Sequence, residues 1–366
     1  MGLNFNESLV EQFVQVFEDA TGSKISDERQ FELAFQRPDG MRRLDLQLRV
    51  ESPAEELFLA IEILRDGYPR DVRNAVWQLE EYRLSRHDVL REMLPIVIAE
   101  HLSTGAREIL RERNIGYFDA SGSLFLKHKQ WLINVDRAAK SARVRRAGSL
   151  FTGAREQVIH ALLHSSMHQQ WLTGLEISHL AETSAYTVSL TMQELERLEW
   201  VESQGSGRNL RRRLVQPGKL LDAWSEAWRT REEAKTRWYA YAPNPKELLS
   251  TITGKLDRES LDDWAFTGAA AANVVAPLLT HVETAELIVS PGLAARYAQA
   301  LDLKPADKGW NVTLVERGGA SMLFRRQHPE LPSWFASTFI QYLDLQDGRG
   351  RNKELATHLR TNILKI

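Results

Sequence analysis

The chain has 366 residues, of which 43% are hydrophobic and 26% charged. It can bury ample core but exceeds the usual size of one domain, so we expect two or three domains. The absence of cysteine excludes disulfides and thiolate zinc sites. No apolar run reaches the roughly 18 residues of a membrane helix, and the first residues lack the pattern of a signal peptide. The sequence therefore predicts a cytoplasmic protein without membrane contact, and its net charge of −2 gives no global case for nucleic-acid binding.

The first third of the chain alternates helical and strand patterns. Residues 6–20 carry apolar side chains at helical spacing, whereas 31–36 and 44–50 alternate apolar with polar residues and form a hairpin that turns at Pro38-Asp39-Gly40. The pattern then predicts a buried strand at 58–69, a helix from about Arg70 to Tyr82, a buried strand at 94–100, a helix at 104–114 and a hairpin turning at 120–123. This order predicts an α/β domain with a mixed sheet over residues 1–137.

Two carboxylates lie on neighbouring strands of this domain. Asp45 falls in the second strand and Glu62 in the third, where an unpaired charge among apolar neighbours is costly. In the following helix, Gln78 and Tyr82 are four residues apart and share one face. Magnesium-dependent nucleases commonly hold the cation between an Asp and a Glu on adjacent strands, while a Lys two residues beyond the Glu polarises the attacking water.

Residues 5–137 resemble the PD-(D/E)xK superfamily, which has the restriction-endonuclease-like fold, and "QLEEY" at 78–82 matches the QxxxY motif of its RecB-like branch. The resemblance implies a magnesium site at the two carboxylates. The lysine position, however, is Leu64, and Arg65 turns to the other face because side chains alternate along a strand. We therefore predict a degenerate nuclease domain with no catalytic residue, bound metal or cofactor. Its vestigial site contains Asp45, Glu62, Gln78 and Tyr82.

The alternative function is a magnesium-dependent DNA nuclease that is targeted by its DNA-binding domain. It needs a lysine from elsewhere in the fold, and Lys127 and Lys129 are the candidates. If the site is silent, we expect donors such as Gln78, Tyr82 or Arg43 to satisfy the two carboxylates.

The middle of the chain has the pattern of a winged helix. Residues 138–150 hold four basic side chains and no acid, which predicts a basic linker before a domain at 151–237. That domain begins with a helix at 154–164 and a short strand near Trp171. Residues 175–203 then have helix-turn-helix spacing, which leaves polar side chains outward where they can reach DNA bases. The predicted outward residues of the last helix are Tyr186, Thr187, Ser189, Leu190 and Gln193.

A basic hairpin follows these helices. Residues 205–219 contain no acid, and Gly205-Ser206-Gly207 supplies the positive φ that a tight tip needs. Across 138–220 the basic residues outnumber the acidic ones by 11 to 7, in a chain that is net acidic. The cations of the hairpin are Arg208, Arg211, Arg212, Arg213 and Lys219. This charge predicts contact with the phosphates of double-stranded DNA.

Three histidines, His160, His164 and His168, recur every four residues along the first helix of this domain. No Glu or Cys accompanies them on that face, and a structural zinc site needs a fuller set of ligands. We expect an exposed or packing role for them.

The last segment, 238–366, predicts a second α/β domain. Its elements are a strand, a glycine turn and a helix at "DWAFTGAAAANVVAPLL", strands at "AELIVSP", "WNVTLVER" and "SMLFRRQ" (321–327), and a closing helix at 351–364. Residues 266–291 resemble the opening of the nucleotidyltransferase fold, with Gly268-Ala269 as its turn. One carboxylate, Glu286, stands where that fold needs a pair, so we expect the fold without the activity.

The domain order, the "FTGAAAA" segment and the ending "YLDLQDGRGRNKELATHLR" resemble the AbiEi-like antitoxins and transcriptional regulators of type IV toxin–antitoxin systems. Members of that family pair a winged helix that represses their promoter with a C-terminal region that neutralises a nucleotidyltransferase toxin. The resemblance implies a DNA-binding transcriptional regulator whose partners are double-stranded DNA and a cognate toxin. A third hypothesis makes the winged helix a protein-contact module.

Overall fold

The computed structural model describes residues 3–37, 40–51, 57–85, 92–129, 131–137, 149–280, 282–329, 331, 333–347 and 350–366. It is a mixed α/β chain that divides into two units, Met1–Arg145 with Glu194–Glu199 and Arg146–Gln193 with Trp200–Ile366. The predicted turn at Pro38-Asp39 and positions 138–148 of the predicted linker lie outside the described residues. Among the described residues, no helix is long and apolar enough to cross a membrane.

The first unit contains a seven-stranded sheet in which the strands follow chain order. Its strands are β1 (Lys24–Arg37), β2 (Gly40–Glu51), β3 (Leu57–Gly67), β4 (Glu92–Leu102), β5 (Gly116–Asp119), β6 (Leu124–His128) and β7 (Trp131–Val135), and its helices are α1 (Leu3–Thr21), α2 (Pro69–Ser85) and α3 (Thr104–Glu112). Strands β3, β4 and β5 are parallel, and the other neighbouring pairs are antiparallel. The predicted helices, strands and mixed sheet of this domain are confirmed.

Alternation along β3 divides its side chains between two apolar clusters. Leu59 and Ile61 pack with Phe13 of α1. Ala60 packs with Leu79 of α2 in the second cluster, and Leu64 lies against that same cluster. Because side chains of one strand alternate in direction, the even-numbered positions of β3, which include Glu62, face the side of the sheet covered by α2.

Residues 149–216 form helices around a small antiparallel sheet. The elements are α4 (Gly153–Ser166), β8 (Leu172–Thr173), α5 (Gly174–Leu180), α6 (Ala185–Arg197), β9 (Val201–Gln204) and β10 (Arg211–Leu214). The strand order in the sheet is β8, β10, β9. The predicted sequence of helix, short strand, two helices and hairpin is therefore present, with bounds close to those expected.

Helix α7 (Pro217–Arg229) leads into a second seven-stranded sheet. Its strands are β11 (Lys235–Tyr239), β12 (Trp264–Thr267), β13 (Ala285–Val289), β14 (Lys304–Pro305), β15 (Val312–Glu316), β16 (Arg326–Gln327) and β17 (Trp334–Phe335). Their order in the sheet is β14, β11, β15, β13, β12, β17, β16. The helices are α8 (Leu248–Arg258), α9 (Gly268–Val275), α10 (Ala294–Ala300), α11 (Thr338–Asp344) and α12 (Asn352–Leu359). The predicted domain boundary at 237/238 falls inside β11.

The predicted strand at 321–327 is wrong over most of its length. A short 3-10 helix ends at Ser321, a turn follows, and only Arg326–Gln327 is a strand. Phe324 has a left-handed φ of +55°, which a strand does not allow. Its ring stacks on His164 at 4.1 Å between centroids. The apolar side chains of this segment therefore anchor a turn and do not alternate along a strand.

Candidate nucleic-acid interface

Side-chain caps define the start of both helices in the helix-turn-helix segment. Thr173 Oγ1 accepts a hydrogen bond from the Glu176 amide at 3.2 Å, and the Glu176 carboxylate accepts one from the Thr173 amide at 2.7 Å. This reciprocal capping box fixes the first turn of α5. Ser184 Oγ accepts from the Thr187 amide at 3.2 Å and so caps the start of the next helix, α6.

Helix α6 presents one exposed stripe. Tyr186 is 73% exposed and Leu190 43%, and Gln193, one turn further on, is exposed as well. Three apolar side chains on the opposite face, Val188, Met192 and Leu195, are buried in the core. The predicted polar residues Thr187 and Ser189 flank the stripe and are half-buried. The helix therefore offers a row of side chains to a partner, which we call the α6 stripe (Tyr186, Leu190 and Gln193).

The hairpin after α6 carries exposed cations at its tip. Gly205 and Gly207 have φ values of +84° and +55°, so the predicted glycine tip is confirmed. A Cβ at Gly205 would lie 2.6 Å from the carbonyl oxygen of Asn209, which excludes a larger residue. Arg208 and Arg211 are exposed beside this tip. With no acid between 205 and 219, the tip is a local concentration of positive charge.

Arg212 and Arg213 are half-buried, unlike their neighbours. Arg213 Nε donates to Glu202 Oε1 at 2.7 Å, and the two residues are register partners across the hairpin. The Arg213 guanidinium also lies over the Trp171 ring, 4.8 Å from the centroid. Trp171 and Glu202 were not predicted as site residues, although the hairpin register alone pairs Glu202 with Arg213. These contacts hold the hairpin together.

His160 and His164 of α4 pack inside the second unit, whereas His168 lies beyond the end of α4 and is exposed. No metal cluster of three or more His, Cys, Asp or Glu occurs in the described part of the chain. His160 is fully buried, and its Nδ1 donates to the Ala320 carbonyl at 2.8 Å while its Nε2 accepts from Ser337 Oγ at 2.7 Å. Burial lowers the pKa of His160 to about 3. This ring is therefore a neutral connection between α4 and the start of α11.

In the first unit, the predicted carboxylates come together. Asp45 Oδ2 accepts from the Ile63 amide at 2.8 Å, and Glu62 Oε1 accepts from Gln78 Nε2 at 3.0 Å. Of the expected donors, Gln78 reaches the pair, whereas Arg43 forms an ion pair with Glu32 at 2.6 Å. The Tyr82 hydroxyl donates to Gln47 at 2.7 Å. The order of motifs in the sequence thus predicts a real juxtaposition.

The protonation of this pair follows from its surroundings. Burial, together with the neighbouring charge of Asp45, raises the pKa of Glu62 to about 8, and burial also raises the pKa of Asp45. At neutral pH Glu62 is therefore protonated and can donate to Asp45.

Among the described residues, no lysine takes the place at this site that a nuclease requires. Leu64 packs against the apolar cluster beneath α2. Lys129 pairs with Glu92, Lys127 is exposed on β6, and Arg65 is 81% exposed. No third acidic or histidine ligand joins the carboxyl pair within the described residues. The described residues at this site therefore supply two carboxyl groups but no lysine beside them to activate a water molecule.

The predicted glycine turn of the last domain is present between β12 and α9. Gly268 has a φ of +68°, and a Cβ there would lie 2.7 Å from Glu286 Oε1, so the close approach requires glycine. Thr267 pairs with Glu286 across the antiparallel strands β12 and β13. The single carboxylate predicted at this turn is thus packed directly against it.

A buried arginine that the sequence did not point to lies near this carboxylate. Arg317 Nη1 is 2.9 Å from Asp344 Oδ1, and Arg317 Nε is 3.1 Å from Glu233 Oε1. Its guanidinium also lies 5.0 Å from the centroid of the Trp228 ring. Burial alone would lower the pKa of Arg317, but the charges of Asp344, Glu233 and Glu286 outweigh it and raise the pKa above its usual value. We call Arg317, Asp344 and Glu233 the arginine cluster.

Comparison with known proteins gives a match in the second unit. Residues 213–365 match the family model described as "Transcriptional regulator, AbiEi antitoxin, Type IV TA system". This segment is therefore similar to type IV antitoxins that regulate transcription, which agrees with the resemblance predicted from the sequence. A search of curated proteins found no match.

Among solved structures, an FdxN element excision controlling factor protein from Anabaena variabilis is 15% identical to this chain, with a TM-score of 0.21. The alignment covers 31% of this chain and 91% of that protein.

Proposed function

We propose that this protein is a DNA-binding transcriptional regulator that acts as the antitoxin of a toxin–antitoxin pair, and that residues 151–216 form a winged helix that binds duplex DNA. The observation that carries the proposal is the α6 stripe together with the hairpin that follows α6 after three intervening residues and has exposed arginines at its tip. The match of residues 213–365 to an antitoxin family of transcriptional regulators supports the same function.

Each part of the interface has its own task in this proposal. Arg208 and Arg211 neutralise phosphates, because both are exposed on a segment, 205–219, that contains no acid. The α6 stripe enters the major groove, where Tyr186 and Gln193 contact base edges and Thr187 and Ser189 contact the backbone beside them.

The two half-buried arginines differ from those at the tip. Arg212 extends the basic surface next to the first turn of α5, since its guanidinium approaches Gly174. Arg213, held by Glu202 and Trp171, keeps the hairpin in shape. Arg213 then affects DNA affinity indirectly, because it keeps the hairpin tip in position.

In the same proposal the flanking domains are catalytically silent. Leu64 replaces the proton-handling lysine of a nuclease, and a single carboxylate, Glu286, stands where nucleotidyltransferases hold a metal-binding pair. A cognate toxin is the second partner, because the matched family consists of antitoxins. We propose no cofactor.

The test is fluorescence anisotropy with the full-length protein and a labelled duplex of about 30 base pairs from the promoter of its own gene. The affinity is measured at several salt concentrations for the wild type and for Arg208→Ala with Arg211→Ala. We expect the double variant to bind more weakly and to lower the slope of log K against log salt by about 0.9 for each phosphate that is no longer neutralised.

Arg258→Ala is the matched control, because it removes an exposed arginine from α8 in the same unit. It should leave both the affinity and the salt slope unchanged. If the wild type binds no duplex at low salt, or if the tip variant and the control behave alike, the winged-helix proposal is wrong. Copurification of the chain with its neighbouring toxin, unaffected by the tip variant, would then favour a protein-contact role.

A further inference from the structure

The outward face of α6, which is the recognition helix in the function proposed above, carries no charge along residues 185–193. This segment contains no Arg, Lys, Asp or Glu. Its exposed side chains are Ala185 and the three of the α6 stripe. The first charged residue of the helix is Glu194, which is half-buried. Whatever the stripe contacts is therefore selected by apolar packing and by neutral hydrogen bonds.

Three hydroxyl groups at the start of α6 already have partners within the chain. Ser184 Oγ accepts from the Thr187 amide and lies 3.0 Å from Thr187 Oγ1. Thr191 is buried, and its Oγ1 donates to the Thr187 carbonyl at 2.8 Å. These groups shape the first turns of the helix, so specific contacts with bases fall to the exposed stripe.

Leu190 occupies the centre of the α6 stripe. It lies four residues after Tyr186 and three before Gln193, which is the spacing that places helical side chains on one face. Leu190 is 43% exposed although it is aliphatic, whereas Val188 and Met192 on the opposite face are buried. The stripe extends roughly 10 Å along the helix axis, about the length of three base-pair steps. A helix in the major groove therefore brings Leu190 over the middle of this short run of base pairs.

Each base pair offers a different set of groups in the major groove. Guanine is commonly read by Arg or Lys and cytosine by Asp or Glu, none of which occurs in 185–193. Adenine is commonly read by an amide such as that of Gln193. Thymine has a C5-methyl group, the only apolar group on the base edges of unmodified DNA, and it contacts apolar side chains. The composition of the stripe thus matches A·T pairs and offers no charged side chain to G·C pairs.

We propose that Leu190 is a specificity-determining residue that contacts the C5-methyl group of a thymine in the operator, so that α6 favours an A·T pair at that position. The inference rests on the proposed function, because it requires α6 to lie in the major groove of duplex DNA. Arg208 and Arg211 then supply affinity for the phosphates of any sequence, and Leu190 supplies discrimination between sequences.

The experiment compares two forms of the promoter duplex by fluorescence anisotropy with the full-length protein at one salt concentration. In one form every thymine is replaced by deoxyuridine, which lacks the C5-methyl group but pairs with adenine in the same way. We expect the wild type to bind the uracil duplex at least about fourfold more weakly, because burial of one methyl-sized apolar group contributes about that factor to affinity.

Leu190→Ala tests which side chain contacts the methyl group. Alanine shortens the side chain and is a strong helix former, so α6 should stay folded, which thermal unfolding checks. The variant should bind the thymine duplex about fourfold more weakly than the wild type does. It should also bind the thymine and uracil duplexes within about twofold of each other. Leu190→Met keeps an apolar side chain of similar volume and should retain the preference for thymine.

Two further variants serve as controls. Leu278→Ala removes a leucine of similar exposure, 37%, that lies in the same unit but outside residues 151–216. It should leave both the affinity and the preference for thymine unchanged. Arg208→Ala with Arg211→Ala should weaken binding to both duplexes by the same factor, because phosphate contacts do not depend on the base.

The outcomes separate this inference from the proposed function. If the wild type binds neither duplex at low salt, the proposed function is wrong and the role of Leu190 is overturned with it. If the wild type binds both duplexes equally well, duplex binding stands and the role of Leu190 alone is overturned. If Leu190→Ala keeps the full preference for thymine, the methyl groups act through another residue or through the shape of the duplex, which also overturns it.

Discussion

Each of the two units buries a group of carboxyl side chains, and each neutralises them by a different means. In the first unit, Glu62 and Asp45 lie against each other, and no cation contributes to the shifted pKa of either group. In the second unit, Asp344 and Glu233 flank the buried guanidinium of Arg317. The first pair is stabilised by a proton, and the arginine cluster is stabilised by a cation that the chain supplies.

The difference determines how each unit responds to pH and to mutation. The shared proton of the first pair is lost when the pH rises, so the pair lowers the free energy of unfolding at high pH. A guanidinium stays charged at all accessible pH values, so the arginine cluster is insensitive to base, and the charge of Asp344 depends on one side chain, Arg317. The following predictions use these two dependences.

The largest effect is expected at the arginine cluster. Arg317→Met keeps much of the side-chain volume but leaves Asp344 buried without its cation, and Glu233 then pairs with Lys235 at 2.7 Å in place of two cations. Removing one partner of a buried ion pair commonly costs about 3–5 kcal/mol, and we expect a loss of that order in the free energy of unfolding. Chemical denaturation at neutral pH measures it.

Arg229→Met is the matched control for this variant, because Arg229 pairs with Glu226 on the surface of α7. An exposed pair of this kind contributes about 0.5 kcal/mol or less. If the two variants differ by less than about 1 kcal/mol, Arg317 is not the group that neutralises the buried carboxylates.

The second effect concerns the shared proton. The pKa of Glu62 is raised from 4.5 to about 8, so the folded state binds a proton that the unfolded state releases between these values. The stability from this group is therefore complete below about pH 4.5 and is lost as the pH rises through about 8. Glu62→Gln mimics the protonated form and should remove this dependence.

At pH 8.5 we expect Glu62→Gln to stabilise the first unit on the order of 2 kcal/mol, since each unit of pKa difference corresponds to about 1.4 kcal/mol and the site can relax in part. Hydrogen exchange of β3 amides between pH 5 and 8.5 reports on this unit alone. A wild type and a variant with parallel pH profiles would show that Glu62 is ionised throughout.

Much of this architecture is predictable from local patterns, and the exceptions share a cause. Alternation along β3 and the spacing of Gln78 and Tyr82 correctly indicate which strands and which helix border the carboxyl pair. Leu64 stands out in the sequence as a departure from the nuclease pattern, whatever its packing. The cap at Ser184 and the tip glycines also follow from local backbone chemistry.

The arginine cluster could not be predicted, because its partners come from elements far apart in the chain that meet only when the sheet and helices pack. The same holds for Phe324. Its ring stacks on His164 of α4, and its segment forms a turn where the apolar residues predicted a strand. Arg213 was assigned to DNA by composition alone. Its position opposite Glu202 depends on the hairpin register, which a count of charges does not contain.

A smaller effect of opposite sign is expected at His160. Its pKa is lowered from 6.5 to about 3, so between these pH values the unfolded state binds a proton and the folded state does not. The stability from this group is present above about pH 6.5 and is lost as the pH falls toward 3. Between pH 4.5 and 6.5, Glu62 and His160 therefore change the stability of their units in opposite directions.

His160→Gln cannot accept this proton and should flatten the acid side of the stability profile of the second unit. At pH 7 the variant lacks the ring packing against Trp224 and Phe324, for which we expect a cost of about 1 kcal/mol. The deficit should shrink toward pH 4, as measured by hydrogen exchange of α4 amides. Equal slopes in the variant and the wild type would mean that His160 is not kept neutral by the fold.

The smallest net change is expected from Leu64→Lys, which gives the first unit the kind of cation that the second unit has. An ammonium beside the pair favours ionised carboxylates, so the pKa of Glu62 should fall below about 8. The weaker packing of position 64 on the cluster beneath α2 opposes this gain, and the free energy of unfolding at pH 7 should change by about 1 kcal/mol or less. Leu64→Met, which preserves the apolar packing, should leave the pKa of Glu62 unchanged. Carbon-13 NMR titration of the Glu62 carboxyl distinguishes the two variants. An unchanged pKa of Glu62 in Leu64→Lys would mean that the side chain at position 64 does not reach the carboxyl pair. The absence of a lysine at position 64 would then not be the reason why this site holds a proton.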